Sequence, residues 1–269
     1  MSENFEIPPS SRVIPSARLE SSVLAKPFPV WSGWDVLLLF FFTGFTALFV
    51  GALGEAVSHW LQFKFPAVQF LRHPAIESIL LLSFQALLDV LIFLFIYFTV
   101  TLKYNSPFWP SIKWAPRGTC YLLTYLSLGV LLALTVLGIS AVLPSPRKPP
   151  LEELLKYPTS AILFAALGVF VAPFVEEVIF RGFIYPVVER KLGRILAVLA
   201  TALLFTTVHV GQLWGSWSGI VLILLVGITL STVRAKTDSL VPSFVIHLSY
   251  NSTICLLFLV GSLVKGFPT

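Results

Sequence analysis

Long stretches of apolar residues, separated by short polar segments, form the main pattern of this chain. Seven such stretches occur, at residues 35–54, 76–102, 119–143, 159–175, 195–208, 220–232 and 240–264. Most of them reach the ~20 residues that an α-helix needs to cross ~30 Å of hydrocarbon. They lack the two-residue alternation of a membrane β-strand. The pattern predicts an all-α, polytopic transmembrane bundle with about seven spans, within an error of one.

The composition supports this prediction. Of the 269 residues, 57% are hydrophobic and 12% are charged, whereas soluble domains carry about 25% charged residues. The lipid bilayer is therefore the expected environment. The chain has no basic run or basic patch interleaved with aromatic residues, so no nucleic-acid partner is expected. Cys120 and Cys255 lie in different apolar stretches and are interpreted as small core residues.

The polar segments divide the chain into regions. Residues 1–34 begin with a segment rich in Pro and Ser, which is typical of a disordered tail. Three accessory transmembrane helices are predicted in residues 35–143. A loop with a short interfacial helix near Leu151–Lys156 is predicted in residues 144–157. Residues 158–264 contain the remaining four helices, which we expect to form the functional core.

Basic residues favour one orientation in the membrane. If the tail and alternate loops lie on one side, that side carries eleven Lys and Arg residues, and the other side carries six. The positive-inside rule then predicts a cytoplasmic N-terminus in an integral protein of the cell (inner) membrane. The seven tryptophans lie at or just beyond the ends of apolar stretches, which predicts an aromatic belt at the headgroup level. They are Trp31, Trp34, Trp60, Trp109, Trp114, Trp214 and Trp217.

Once the loops are set aside, a small set of ionisable residues remains at membrane depth: Asp89, Glu176, Glu177, Arg181, His209 and His247. Placing Asp, Lys or Arg at the centre of a membrane helix costs roughly 2.5–3.5 kcal/mol, so such residues are functional by default. Glu177 and Arg181 are four positions apart, which instead predicts a structural ion pair on one helix face. Glu176 is rotated by about 100° from Glu177 and is left without that partner. For Asp89 we expect a hydrogen bond to a neighbouring helix.

Helix spacing places Glu176 and His209 at the same height. Lys191–Arg194 reads as a turn between two helices, with Gly193 as a helix-terminating residue. Glu176 and His209 are each 16.5 residues from the centre of that turn, which is ~22–25 Å at 1.5 Å per residue. His247 joins them if the turn projects ~10 Å beyond the start of the last span. Asn251 follows His247 by four positions and shares its helix face.

Two kinds of chemistry fit this group. A carboxylate and an imidazole that share a water act as a general base and its partner, and a second imidazole and an amide donate to an oxyanion. These are the parts needed to hydrolyse an amide. Alternatively, Glu176, His209 and His247 are three ligands of a divalent metal such as zinc. The chain has no H-E-x-x-H motif, so such a site would differ from the usual zincin arrangement.

Three short segments carry a family resemblance. "EEVIFR" at 176–181, "FTTVH" at 205–209 and "HLSYN" at 247–251 resemble the EExxxR, FxxxH and HxxxN motifs of the CPBP family. These are the CAAX-processing and bacteriocin-processing intramembrane proteases, which include the Ras-converting type of endopeptidase. All three motifs occur in order within seventy-six residues. The resemblance covers roughly the four C-terminal spans.

The resemblance implies a helical intramembrane protease whose core spans residues 158–264. It implies that Glu176 and His209 activate a water, that His247 and Asn251 stabilise the oxyanion, and that Glu177, Arg181 and Phe205 support the site. The implied partner is a membrane-anchored or lipidated peptide or protein substrate. We expect the site to work without a tightly bound metal. A divalent metal such as zinc is the alternative. The competing functions are a catalytically silent scaffold or immunity-type protein and a proton-coupled transporter.

Overall fold

The computed structural model describes residues 27–64, 73–116, 118–143 and 150–265. In these ranges every regular element is a helix and no strand occurs, which confirms the all-α prediction. The N-terminal elements are α1 Gly33–Lys64, α2 Pro74–Phe98, the π-helical turn π1 Thr99–Lys103, α3 Phe108–Ser111, α4 Thr119–Val142 and α5 Leu151–Leu154. The C-terminal elements are α6 Pro158–Ala166, π2 Leu167–Val171, α7 Ala172–Glu177, π3 Val178–Ile184, α8 Tyr185–His209, α9 Trp217–Thr237 and α10 Leu240–Lys265.

Six helices in the described residues are long and apolar enough to cross a membrane. The fourth of them, Pro158–His209, is 52 residues long and would measure ~78 Å if it were straight. It is interrupted at Gly193, whose φ of 81° and ψ of 170° are not helical. Beyond this point the chain turns back. The ring centre of Phe205 therefore lies only 5.4 Å from that of Phe180. Counting its two arms separately gives about seven spans, as predicted.

The hairpin turn forms where the sequence predicts it. Gly193 has no Cβ and adopts a positive φ without the steric penalty of other residues. On one side of it Arg190 donates hydrogen bonds to the carbonyl oxygens of Pro29 and Trp31. On the other side Arg194 pairs with Glu189 at 3.3 Å. Arg190 thus ties the turn to the residues that precede α1, and the Arg194–Glu189 pair joins the two sides of the turn.

Trp31 departs from the predicted aromatic belt. Its side chain is 1% exposed, its Nε1 donates to the carbonyl oxygen of Phe183 at 2.8 Å, and its ring stacks on that of Phe183. An indole N–H needs a partner when it is buried, and this carbonyl supplies it. The belt prediction is therefore wrong for Trp31. Residues 1–26 of the predicted tail lie outside the described residues.

The segment before α4 docks on the turn between α9 and α10. The Leu240 amide donates to the Lys113 carbonyl at 2.9 Å, and the Ser239 hydroxyl donates to the Ala115 carbonyl at 2.8 Å. Lys113 also pairs with Asp238 at 3.1 Å. Burial raises the pKa of Asp238, but the hydrogen bonds from Lys113 and Arg234 outweigh burial and lower its pKa overall. The Asp238 contacts therefore persist at neutral pH and weaken only in strong acid.

Gly129 allows α4 and α10 to approach each other closely. A Cβ at this position would lie 2.5 Å from the Ile246 carbonyl oxygen and 2.6 Å from the Ser249 Cβ. Ser249 in turn donates a hydrogen bond to the Leu126 carbonyl at 2.8 Å. The two helices therefore pack backbone to backbone, as small residues permit in membrane bundles.

We expect Gly129→Ala to destabilise the purified protein, because the added methyl group must push α10 away from α4. Overpacking of this kind costs typically 1–3 kcal/mol, which thermal unfolding in detergent would register as a lower midpoint. Gly138→Ala is the matched control, since a Cβ there meets no atom within 4 Å. Equal midpoints for the two variants would contradict the close packing at Gly129.

Candidate active site

Glu176 lies between two histidines that come from separate helices. Its Oε1 is 3.9 Å from Nε2 of His209 on α8, and its Oε2 is 3.6 Å from Nε2 of His247 on α10. The predicted alignment of these residues across the hairpin is thereby confirmed. The Glu176 side chain retains 23% exposure, so a reactant can reach its carboxylate.

Both imidazoles are oriented by hydrogen bonds at Nδ1. The Nδ1 of His209 lies 2.7 Å from the Phe205 carbonyl oxygen, which only accepts, so this nitrogen carries the proton. The Nδ1 of His247 lies 3.2 Å from Oε1 of Glu177. Because that carboxylate is also paired with a guanidinium, it too acts as the acceptor. Each ring therefore presents its Nε2 to Glu176.

Glu177 and Arg181 form the predicted ion pair in the interior of the bundle. Both side chains are fully buried, and Nη1 of Arg181 is 3.0 Å from Oε1 of Glu177. The other guanidinium nitrogens reach α9, where Nε donates to the Ser231 hydroxyl at 3.2 Å and Nη2 donates to the Gly227 carbonyl at 3.0 Å. A buried charge pair needs such additional hydrogen bonds to offset its desolvation. Arg181 thus connects the acidic segment to α9.

Gly227 makes the contact with Arg181 geometrically feasible. A Cβ at position 227 would lie 3.2 Å from the Cα and from the carbonyl oxygen of Ala202. The absence of a side chain lets α9 approach α8 and brings its carbonyl within reach of the guanidinium. Sequence reasoning missed Gly227 and Ser231, because their partner lies about fifty residues earlier in the chain.

Phe205 packs against the polar groups of the site, and its supporting role remains a prediction. Its ring centre lies 4.5 Å from that of His209 and 5.7 Å from that of His247. The Arg181 guanidinium carbon lies 4.6 Å from the same ring centre, within the range of a cation–π contact. The fully buried ring fills the space between the two imidazoles and the ion pair.

Asn251 lies one turn beyond His247 on α10 and has a partner that spacing could not identify. Its Nδ2 donates to the Gly168 carbonyl oxygen at 2.7 Å. A primary amide has two N–H donors, so this contact occupies one of them. The predicted role of Asn251 at an oxyanion remains a prediction and would use the second donor.

Among the residues that the structure describes, Asp89 makes no hydrogen bond to a neighbouring helix, contrary to expectation. Its Oδ1 accepts from Nε2 of Gln85 at 2.9 Å, and both residues belong to α2. The bond is therefore internal to the helix. Asp89 nevertheless lies close enough to Glu176 for the two carboxylates to interact electrostatically, which places α2 beside the site.

Glu176, His209 and His247 are the side chains that would hold a divalent metal at this site. Within residues 27–64, 73–116, 118–143 and 150–265, no group of three His, Cys, Asp or Glu side chains is placed to hold a metal ion. The expected ligands Glu176, His209 and His247 converge, but His247 directs its Nδ1 to Glu177 and stands 3.6 Å from Glu176 through Nε2. The expectation of a metal-free centre stays a prediction.

Arg234 is a buried charge that sequence reasoning assigned to a loop. Its side chain is 1% exposed, Nε donates to the backbone carbonyl of Arg181 at 3.2 Å, and Nη1 pairs with Asp238 at 3.2 Å. Its guanidinium carbon also lies 5.4 Å from the ring centre of Tyr185. The sequence indicates only one of these contacts, the pair with Asp238, through the spacing of four residues.

The fold and the site together define a polytopic helical membrane protein with a glutamate–histidine centre among its C-terminal helices. Residues 158–253 match the family model of the type II CAAX prenyl endopeptidase, Rce1-like. The match begins with α6, ends within α10, covers a little over a third of the chain and includes Glu176, His209, His247 and Asn251.

This match confirms the family resemblance of the three motifs: residues 158–253 are similar to the CAAX-type endopeptidase family. A comparison with curated proteins gave no match. A comparison with solved structures gave none either.

Proposed function

We propose that this protein is an intramembrane endopeptidase that hydrolyses peptide bonds of membrane-anchored or lipidated substrates with a water activated by Glu176 and His209. The observation that carries the proposal is the convergence of the Glu176 carboxylate on two Nε2 atoms, at 3.9 Å and 3.6 Å. We also infer a cytoplasmic N-terminus in the cell (inner) membrane, which the uneven distribution of basic residues supports.

The site favours water as the nucleophile. The Glu176 carboxylate and the neutral His209 Nε2 are both hydrogen-bond acceptors, and a single water donates one hydrogen to each. The water oxygen then attacks the scissile carbonyl while Glu176 takes up one proton. The C–N bond breaks after that proton is delivered to the departing amine. The other proton of the water stays on the new hydroxyl group, so the products are a carboxylic acid and an amine.

His247 is the second imidazole that faces the oxyanion. Its Nδ1 is already engaged with Glu177 at 3.2 Å, so Nε2 can donate only when the ring is doubly protonated. The second N–H of Asn251 completes the set of donors to the oxyanion.

We expect His247→Gln to lower kcat by about 10²–10³-fold, the usual effect of losing one oxyanion donor, with little change in KM. Initial rates on a membrane-reconstituted reporter would measure both constants. His59→Gln, an exposed histidine on α1, is the matched control and should keep the wild-type rate. A His247→Gln variant with wild-type kcat would contradict the oxyanion role.

The substrate class is tested with purified wild-type protein in liposomes and a reporter panel. The panel contains prenylated C-terminal peptides, the same peptides without the prenyl group, and double-glycine leader peptides. Mass spectrometry of the products should show internal cleavage of the prenylated peptides and slower cleavage of the unmodified ones. The absence of product from every reporter would contradict an endopeptidase of this class. Proton flux into the same liposomes would instead favour a proton-coupled transporter.

A further inference from the structure

Two π-helical turns border the helix that carries the acidic residues. The first, π2, closes with a hydrogen bond from the Ala172 amide to the Leu167 carbonyl. The second, π3, closes with a hydrogen bond from the Tyr185 amide to the Phe180 carbonyl. Both bonds span five residues, which is the π-helical pattern. In each case a proline follows the residue that donates this closing bond: Pro173 follows Ala172, and Pro186 follows Tyr185.

The two prolines leave two carbonyl groups without a backbone donor. In the same five-residue pattern, the next bond would run from an amide at position 173 to the Gly168 carbonyl. At π3 it would run from an amide at position 186 to the Arg181 carbonyl. Proline has no N–H, so neither bond forms. A buried carbonyl without a donor costs free energy comparable to a lost hydrogen bond.

Side chains from neighbouring helices supply the missing donors. Nδ2 of Asn251 on α10 donates to the Gly168 carbonyl at 2.7 Å. Nε of Arg234 on α9 donates to the Arg181 carbonyl at 3.2 Å. The same solution therefore occurs at both ends of α7, and each carbonyl that receives a side chain is the one that a proline deprives of its amide.

Arg234 is connected to the site only through other residues. The carbonyl that it caps belongs to Arg181, whose guanidinium holds Glu177 at 3.0 Å. Glu177 in turn holds Nδ1 of His247 at 3.2 Å. These contacts link the rotation of π3 about its helix axis to the position of the His247 ring.

We propose that Arg234 is a positioning residue for the hydrolysis, which it serves by capping the Arg181 carbonyl that Pro186 leaves without a donor. The cap fixes the rotation of π3 and so directs the Arg181 side chain at Glu177. This inference rests on the proposed function, and Asn251 performs the corresponding capping at π2. A purely structural role would instead involve only the contact of Arg234 with Asp238 at the helix end.

The test restores the missing backbone donor. Arg234→Met removes the cap, and Pro186→Ala supplies an N–H that can reach the Arg181 carbonyl. We expect Arg234→Met to lower kcat by about 10²-fold through misplacement of the site, with KM nearly unchanged. The double variant Pro186→Ala/Arg234→Met should recover at least about tenfold of that loss. Arg234→Lys, which keeps a donor, should be less impaired than Arg234→Met.

Two control variants isolate the cap. Lys236→Met removes an exposed basic residue of the same helix and should leave kcat unchanged. Asp238→Asn weakens the other contact of Arg234 and should have a smaller effect than Arg234→Met. A double variant no better than Arg234→Met, or an Asp238→Asn variant as impaired as Arg234→Met, would overturn the proposal.

Hydrogen exchange gives a readout that needs no activity. Amides of residues 178–185 in detergent-solubilised protein should exchange faster in Arg234→Met and slow again in the double variant. If Arg234→Met fails to accumulate, recovery of folded yield in the double variant supports the cap, and no recovery overturns it. A wild-type protein that cleaves nothing would refute the proposed function, while the exchange rates would still decide whether Arg234 caps π3.

Discussion

Glu176→Gln is expected to abolish detectable cleavage while leaving the protein folded in the membrane. The amide keeps the size of the side chain and one acceptor oxygen, but it cannot take a proton from the attacking water. Loss of a general base lowers a rate by typically 10²–10⁴-fold. Glu176 is also not the partner of Arg181, which binds Glu177. Its neutralisation therefore leaves the buried ion pair intact.

Initial rates in liposomes and thermal unfolding in detergent together test this prediction. Glu77→Gln is the matched control, because Glu77 is an exposed acid in the first turn of α2. We expect it to match the wild type in both measurements. A Glu176→Gln variant that lost its rate only because it unfolded would not support a role as base. A variant with both the wild-type rate and the wild-type midpoint would exclude that role.

Arg181→Met is expected to lower both the folded yield and the rate. Both members of the Glu177–Arg181 pair are fully buried, and removing one partner of such a pair typically costs 3–5 kcal/mol because the remaining charge is left unpaired. The hydrogen bonds to Ser231 and Gly227 are lost at the same time.

The double variant Glu177→Gln/Arg181→Met separates stability from chemistry. With both charges removed, unfolding in detergent should show much of the lost stability restored. The rate should stay low, because Nδ1 of His247 no longer has the Glu177 carboxylate that orients the ring. A single Arg181→Met variant as stable as the wild type would contradict the ion pair as a structural element. A fully active double variant would contradict the role of Glu177 in orienting His247.

The helical hairpin could be predicted from sequence because α-helical rise is regular. Equal distances from the turn at Gly193 gave Glu176 and His209 equal heights, and the structure places them 3.9 Å apart. The ion pair was equally accessible, since residues four apart on a helix are always neighbours. The two predictions that follow from regular helical rise and spacing, the equal height of Glu176 and His209 and the Glu177–Arg181 pair, were therefore confirmed.

Contacts that depend on interrupted helices could not be predicted. The π turns π2 and π3 change the rotation of every residue that follows, so an angle of 100° per residue no longer describes which side a residue faces. The partner of Asn251 is a carbonyl within π2, and that of Arg234 is a carbonyl within π3. Local sequence gives no sign of either contact.

Long-range burial was also beyond the sequence. Trp31 stands at the end of an apolar stretch, as a belt residue would, yet it donates to a carbonyl 152 residues away. Arg234 lies at the end of another stretch and is nevertheless buried. For both residues, the deciding factor is a backbone acceptor on a distant helix, which hydropathy does not report.

The most direct test of the account compares wild type and Glu176→Gln on a prenylated reporter in identical liposomes, each with and without a strong chelator. We expect cleavage by the wild type in both conditions and no product above the blank from Glu176→Gln. Cleavage by Glu176→Gln at the wild-type rate would contradict the central role of Glu176. Loss of wild-type cleavage in the chelator, reversed by added zinc, would contradict the metal-free centre.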